Sequence, residues 1–261
     1  MSSDLLSTNE AAAMLNVGAS TVKRWADEGR LQCVKTAGGH RRFPRSVVAE
    51  MLSDSVPGAT EMSANQVLDD VDGHATLALL FQMRSRYGAW WVVAEQVASF
   101  LHRVGEDWAS GAITIAEEHT ISERLLRAIA AACQALPTSS SSRTCLFVMV
   151  EGDDHTLGLR LAELVAHEAG WRSRWVGRKT PLTELPDILA SQTIQAVAAS
   201  ASSFSADAAL LVRQASSLEA MCEAANLPLA LGGDGSWPQS LPYAKRIADF
   251  DAFRKFLMSP T

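Results

Sequence analysis

The sequence lacks long apolar runs, clustered cysteines and a secretion signal. No apolar run approaches the roughly 20 residues of a membrane-spanning helix, and the first residues lack the basic-then-apolar pattern of a signal peptide. The four cysteines show no spacing typical of metal ligands: Cys33, Cys133, Cys145 and Cys222. We therefore expect a cytoplasmic protein with reduced thiols and no membrane partner.

A conventional catalytic set is also absent. The serines at 200–203 have no plausible general base beside them in the sequence, and the cysteines have no partner for nucleophilic catalysis. This pattern predicts a protein that is not an enzyme.

Basic charge is concentrated in one short stretch. The chain has a formal net charge of −6, yet residues 20–46 hold seven Lys or Arg against two Asp or Glu. A compact basic block on an acidic chain predicts one module that faces nucleic acid.

Two short helices are predicted around this block. Ser7 and Glu10 form a capping box for the first helix, Ser20 caps a second helix that Gly29 ends, and a glycine-bearing turn joins the two. Such a pair is typical of a helix-turn-helix, whose second helix enters the major groove of DNA. Residues 31–43 can add a hairpin with a basic tip, and Ser46 can begin a third helix.

The run Gly-Gly-His-Arg-Arg-Phe at 38–43, after a helix-turn-helix, resembles the winged DNA-binding domain of MerR-type regulators, and we assign it residues 1–52. The resemblance implies contacts with a double-stranded DNA operator. Lys23, Arg41 and Arg42 are candidate phosphate or groove contacts, although each could be a solvated surface charge. His40 could touch a phosphate or hold the wing. The other candidates lie on the second helix: Ser20, Thr21 and Arg24.

Residues 53–73 are acidic, contain no Lys or Arg and show little apolar periodicity, which predicts a partly flexible linker. Residues 74–137 then show helical periodicity in three long segments, 74–87, 90–108 and 114–136. A four-helix bundle is the natural prediction, with the first region split at Gly88.

A second capping box, Thr114 to Glu117, places a tight turn between two of these helices. Trp108 therefore ends one helix while Glu118 and His119 open the next. An aromatic, a carboxylate and an imidazole at one end of a bundle can bind a polar ligand. The alternative is that Trp108 closes the bundle end and the polar pair is a solvated first turn.

Residues 143–261 have the pattern of a doubly wound, Rossmann-like α/β domain. A β-branched apolar run at 145–150 is followed by a polar turn and an apolar-periodic helix. The turn contains Asp153, His155 and Gly158. A carboxylate beside a histidine can take one ring N–H and leave the other nitrogen as a metal ligand, and glycine lets a large cofactor approach the backbone. The alternative is a solvated loop with a chance histidine.

The next two predicted strands end in Ser200-x-Ser202 and in Gly232-Gly233. With Asp-x-His-x-x-Gly, these motifs resemble the strand ends of cobalamin-binding (vitamin B12) domains. The resemblance implies that His155 is the lower ligand of cobalt and that Asp153 orients it. It also implies that the hydroxyls and the open glycine backbone receive the nucleotide tail of the cofactor.

The spacing Trp108-x9-Glu118-His119 resembles the motif that covers the upper face of cobalamin in MerR-family photoreceptor repressors of the CarH and LitR type. The resemblance implies a cobalamin-dependent repressor with adenosylcobalamin as its light-sensing cofactor, and with methylcobalamin and hydroxocobalamin as alternatives. It further implies self-association to a dimer or tetramer on the operator.

One residue departs from this family. Light-responsive members carry a histidine directly after the tryptophan, whereas this chain has Ala109, which cannot bind cobalt. A regulator that senses corrinoid, redox state or another ligand without light is therefore the main alternative. A corrinoid carrier for methyl transfer is a further alternative, which the winged helix and the absence of a substrate barrel of roughly 250 residues oppose.

Overall fold

A computed structural model of the chain describes residues 5–15, 19–27, 29, 31–36, 38–48, 62–137, 139, 142–177, 180–191, 193–203 and 207–259. The chain divides into two compact units, residues 1–61 and residues 62–261. Among the described residues, no helix combines the length and the apolar character needed to cross a membrane.

The first unit combines short helices with a small antiparallel sheet. Its described elements are β1 (Leu5–Ser7), α1 (Thr8–Leu15), α2 (Ala19–Asp27), β2 (Val34–Lys35) and β3 (Arg41–Pro44). The predicted hairpin is confirmed, since β2 pairs with β3 and Val34 lies opposite Arg42. Strand β1 was not predicted; it pairs with the other edge of β3 and places Leu6 opposite Phe43, which is fully buried.

The helix ends of this unit follow the predicted chemistry at two of three places. Ser7 and Glu10 form the capping box, with Glu10 Oε2 accepting the Ser7 N–H at 2.7 Å. Gly29 ends α2 in the left-handed region, at φ +71°. The prediction of Ser20 as N-cap was wrong, because α2 already begins at Ala19. A third helix begins at Arg45 and is described as far as residue 48.

Residues 62–137, which are described without a gap, form four helices. They are α3 (Ala64–Asp69), α4 (His74–Tyr87), α5 (Trp90–Ser110) and α6 (Ile115–Ala135). Three of these helices, α4, α5 and α6, match the segments predicted at 74–87, 90–108 and 114–136, and Gly88, at φ +76°, separates α4 from α5 as expected. The predicted bundle at 74–137 therefore holds three helices, and the fourth, α3, lies before it.

The linker prediction was wrong for residues 64–69, which form α3. A capping box between Ser63 and Gln66 begins this helix, and fully buried Val67 anchors it. The Arg124 guanidinium of α6 donates to the carbonyls of Val67 and Leu68 near the C-terminal end of α3, where the helix dipole favours a cation. A polar six-residue helix is therefore held by tertiary contacts that local periodicity cannot show.

The remainder of the second unit is an all-parallel sheet with helices on both faces, as predicted. Its strands are β4 (Thr144–Met149), β5 (Arg172–Trp175), β6 (Ala196–Ser200), β7 (Leu229–Gly232) and β8 (Lys245–Arg246), in the order β5-β4-β6-β7-β8. Its helices are α7 (Leu157–Glu168), α8 (Leu185–Ala190), α9 (Ala208–Ala224) and α10 (Phe250–Met258), with a 3-10 turn at Leu182–Glu184. The strand order reverses at β4, between β5 and β6, which is where open α/β sheets bind ligands.

The alternation of side chains along β4 divides the core into two layers. Cys145 and Phe147 face a layer that contains α7, α10 and the bundle, whereas Leu146 and Val148 face the layer of α8 and α9.

Burial raises the pKa of the Cys133 thiol to about 12. This thiol therefore stays protonated and unreactive at neutral pH.

Two carboxylates fasten the bundle to the α/β layer. Glu168, at the end of α7, accepts the Trp90 N–H at 2.7 Å and pairs with Arg84 at 2.9 Å. Glu95 of α5 accepts the Phe250 N–H at 2.6 Å, at the first turn of α10. Because backbone donors at helix starts otherwise need solvent or a cap, these contacts stabilise the helix ends and the packing together.

We expect Asp251→Asn to destabilise the second unit in a pH-dependent way. Asp251 is 7% exposed in its side chain and pairs with Arg254 and Lys255, each at 2.7 Å. Burial alone would raise its pKa, but the hydrogen bonds and charges of Lys255 and Arg254 lower the pKa below its ordinary value of 3.8. The carboxylate therefore stabilises the fold above the unfolded-state pKa, and this stabilisation is lost as the pH falls through the folded-state pKa.

Urea unfolding should show a loss of about 1–2 kcal/mol for Asp251→Asn at pH 7. The difference from the unchanged protein should shrink below about pH 4. Asp187→Asn, at an exposed position of α8, is the matched control and should change little. A loss that stays the same at pH 3 would contradict the role given to the Asp251 charge.

Candidate functional site

The loop after β4 holds a histidine fixed by a buried carboxylate. Asp153 Oδ1 accepts the backbone N–H of His155 at 2.9 Å and lies 2.8 Å from its Nδ1. Asp153 Oδ2 accepts the N–H of Ser202 at 2.5 Å, and the Ser202 hydroxyl lies 3.1 Å from His155 Nδ1. The Asp153 side chain is 3% exposed, whereas that of His155 is 58% exposed. A buried anion thus orients an imidazole that remains open to a ligand.

This geometry selects one tautomer of the neutral imidazole. A carboxylate only accepts hydrogen bonds, so the short contact to Asp153 requires a proton on Nδ1 of His155. The lone pair of the neutral ring is then on Nε2, the nitrogen remote from Asp153. The arrangement can present one nitrogen ligand to a metal centre and hold its direction.

The register of the sheet brings the other predicted strand ends to the same edge. Met149 lies opposite Ser200, and Ser200 lies opposite Gly232, so the ends of β4, β6 and β7 are adjacent. Asp153, His155 and Ser202 meet directly. A Cβ placed on Gly158 would lie 4.0 Å from Ser200 Oγ, which puts the start of α7 against the end of β6.

A cavity of about 230 Å³ opens behind this edge, between the sheet, α7, α10 and α5. Its lining is dominated by glycine, alanine and apolar side chains; it includes Gly158, Leu159, Ala162, Ala198, Ala199, Ser200, Ala230, Gly232, Gly233, Ile247, Ala248, Phe250 and Phe253, with Glu95, Ala98, Asp234 and Asp249. Apolar walls with a few polar groups are typical of a site for a planar organic ligand. Such a cavity can receive the flat heterocyclic part of a small organic ligand.

Several residues that shape the loop after β7 were not predicted from the sequence. A Cβ on Gly235 would lie 2.5 Å from that of Ala201, so β6 and this loop approach closely only because Gly235 has no side chain. The Trp237 indole donates to Gly232 O at 2.8 Å, and the Arg246 guanidinium donates to Leu231 O at 2.8 Å. The density of glycine at 232–235 is the signal in the sequence that indicated a close approach.

At the bundle end, the structure pairs two of the three predicted residues. Glu118 Oε2 lies 2.5 Å from His119 Nδ1, and Ser122 donates to Glu118 Oε1 at 2.7 Å. Trp108 is 40% exposed, two residues before the end of α5, and the described hydrogen bonds of the Glu118–His119 pair do not include it. The predicted capping box at Thr114 and Glu117 is confirmed.

The candidate DNA contacts whose side chains the structure describes are exposed or partly exposed on the first unit. Lys23 and His40 are exposed, and Arg42 is half-buried on β3. Arg41 pairs with Asp27 at 2.5 Å, which ties the strand of the wing to the end of α2. The side chains of Ser20, Thr21 and Arg24 lie outside the described residues.

Within the described ranges, no group of three or more His, Cys, Asp or Glu side chains could hold a bare metal ion.

Comparison with known proteins assigns the first unit. Residues 5–55 match the family described as "Helix-turn-helix domain". The first unit is a helix-turn-helix domain. The chain is also 31% identical, over 91 residues, to the HTH-type transcriptional repressor CarH of Myxococcus xanthus. That match covers 35% of this chain and 30% of the CarH relative, so the chain spans under a third of its relative's length in the match.

A solved structure identifies the fold of the rest. The chain resembles the monomethylamine corrinoid protein of Methanosarcina barkeri with a TM-score of 0.51 and 14% identity, over 74% of this chain and 94% of that chain. The helices and the parallel sheet therefore have the fold of that corrinoid protein, a helical bundle followed by a Rossmann-like α/β domain. The predicted combination of a helix-turn-helix, a helical bundle and this α/β fold is confirmed.

Proposed function

We propose that the chain is a cobalamin-dependent, DNA-binding transcriptional regulator that acts as a repressor. The observation that carries the proposal is the Asp153–His155–Ser202 cluster beside an apolar cavity, in a chain that begins with a helix-turn-helix domain. Both features lie where the strand order of the sheet reverses. The oriented imidazole suits the lower face of cobalt in a corrinoid, and the cavity suits the flat base of the corrinoid's nucleotide tail.

In this proposal, His155 would bind cobalt through Nε2, and Asp153 keeps the ring in its tautomer and direction. The cavity lined by Gly158, Ser200 and the Gly232-Gly233 backbone would hold the nucleotide tail. Adenosylcobalamin would supply a cobalt–carbon bond that light can break. Trp108, Glu118 and His119 would pack around the adenosyl group.

The proposed DNA contacts are Lys23, Arg41, Arg42 and His40, with Ser20, Thr21 and Arg24 on α2. A single small domain makes few phosphate contacts, and its affinity for an operator falls steeply with salt. Self-association to a dimer or tetramer would link several such domains and raise the affinity without any new contact. Control of assembly by the cofactor would then control occupancy of the operator.

Size-exclusion chromatography with adenosylcobalamin, in darkness and after green light, tests the proposal. We expect corrinoid absorbance to elute with the protein in a species larger than the monomer, and we expect this species to shrink on illumination. Elution of the corrinoid with the protein but without a size change would support a regulator that ignores light. No corrinoid in the protein peak would contradict cobalamin binding.

A light-independent regulator is the second candidate, because of Ala109. This residue is exposed, directly follows Trp108 near the end of α5, and has no atom that can bind a metal. Ala109 therefore could not supply a second protein ligand to a bound cobalt. A corrinoid carrier for methyl transfer is separated from both candidates by an operator-binding assay, since a carrier has no need to bind DNA.

A further inference from the structure

The helical bundle forms one wall of the cavity. Ala98 and Glu95 of α5 line the cavity together with residues of the sheet, α7 and α10. We propose that Ala98 of α5 determines which corrinoids the chain accepts, by closing the cavity against the base of the nucleotide tail. This rests on the proposed function and assigns a selectivity role to the bundle.

The cavity exists because small residues face it from several elements. Ala98 contributes from α5, Ala162 and Gly158 contribute from α7, and Ala198 and Ala230 contribute from the sheet. A larger side chain at any of these places would fill space that a bicyclic base needs. Well-packed sites tolerate added methyl groups poorly, because neighbouring side chains and backbone must then move.

The α5 wall cannot easily move aside. Trp90, at its first turn, donates to Glu168 of α7, and Glu95, one turn before Ala98, accepts from the first residue of α10. Both contacts are short, at 2.7 Å and 2.6 Å. Displacing α5 would therefore break both hydrogen bonds, which is costly in a partly buried site. Ala98 therefore limits the size of the base that the cavity accepts, because α5 does not move away to make room for a larger one.

The inference predicts that selectivity depends on the tail of the corrinoid. We would compare hydroxocobalamin, which carries a nucleotide tail, with cobinamide, which lacks the base. Ala98→Leu should weaken hydroxocobalamin binding by about 10-fold or more and leave cobinamide binding unchanged, measured by equilibrium dialysis and absorbance. Ala98→Val should give a smaller loss of the same selectivity. Ala162→Leu, which changes the wall formed by α7, should behave like Ala98→Leu.

Ala78→Leu is the matched control, since Ala78 is exposed on α4 and does not line the cavity; it should bind both corrinoids like the unchanged protein. Equal weakening of both corrinoids by Ala98→Val and Ala98→Leu, or no weakening of either, would overturn the inference. If only Ala162→Leu weakens hydroxocobalamin binding more than cobinamide binding, the cavity binds the tail but Ala98 does not determine selectivity, and the inference is wrong. If the unchanged protein binds neither corrinoid, the proposed function itself fails.

Discussion

Gly233→Ala is expected to destabilise the second unit by about 3 kcal/mol or more. Gly233 has φ +78°, a conformation in which a Cβ meets the neighbouring carbonyl and which costs roughly 1–2 kcal/mol for most residues. In addition, its Cβ would lie 2.2 Å from the backbone oxygen of Ala201 and 2.7 Å from Ser200 Oγ. Ser200 ends β6 and Ala201 follows it directly, so relief requires a shift of the chain at the end of that strand, at the edge of the candidate site.

Gly232→Ala is the matched control for this substitution. A Cβ on Gly232 would lie 3.9 Å from the Ala199 carbonyl oxygen, which is ordinary van der Waals contact. Urea or thermal unfolding should therefore show a change within about 1 kcal/mol for Gly232→Ala. Equal losses for the two neighbours would contradict the close approach of β6 and the loop after β7. The pair separates backbone geometry from a general intolerance of alanine at this edge.

Local sequence patterns were sufficient to predict the elements whose structure depends on residues close together in the chain. The parallel sheet, the long helices and the two capping boxes at Ser7 and Thr114 follow from apolar periodicity and short-range polar contacts. The convergence of Asp153, His155 and Ser202 was predictable as well, because the carboxyl ends of adjacent parallel strands lie at one edge.

Long-range contacts were not predictable in the same way. Helix α3 has weak periodicity of its own and is fixed by Arg124, which follows it in sequence by more than fifty residues. The contribution of Ala98 to the cavity depends on how α5 packs against α7 and α10, which no local motif encodes. The ion pair between Arg41 of β3 and Asp27 of α2 is another long-range contact. No local pattern in the sequence indicates that these two charged side chains meet.

His155→Ala should weaken corrinoid retention by at least about 10-fold and change the absorbance of the bound cofactor. The reason is the loss of the imidazole that Asp153 orients in the loop after β4. The His155 side chain is 58% exposed, so its removal should change the unfolding free energy of the apoprotein much less than it changes binding. Equilibrium dialysis and absorbance spectra would measure the two effects. His102→Ala is the matched control, because His102 is exposed on α5 and pairs with Glu106.

Free imidazole distinguishes a ligand from a residue that only supports the loop. If His155 binds cobalt, imidazole added to His155→Ala should restore part of the retention and the absorbance of the unchanged protein, because it supplies the missing nitrogen. If His155 only shapes the loop through Asp153, imidazole cannot repair the backbone, and the spectrum should stay altered. Retention and absorbance that match the unchanged protein before any imidazole is added would contradict ligation by His155. The same result would leave the cavity test of Ala98 untouched, since that test compares two corrinoids that differ in the tail.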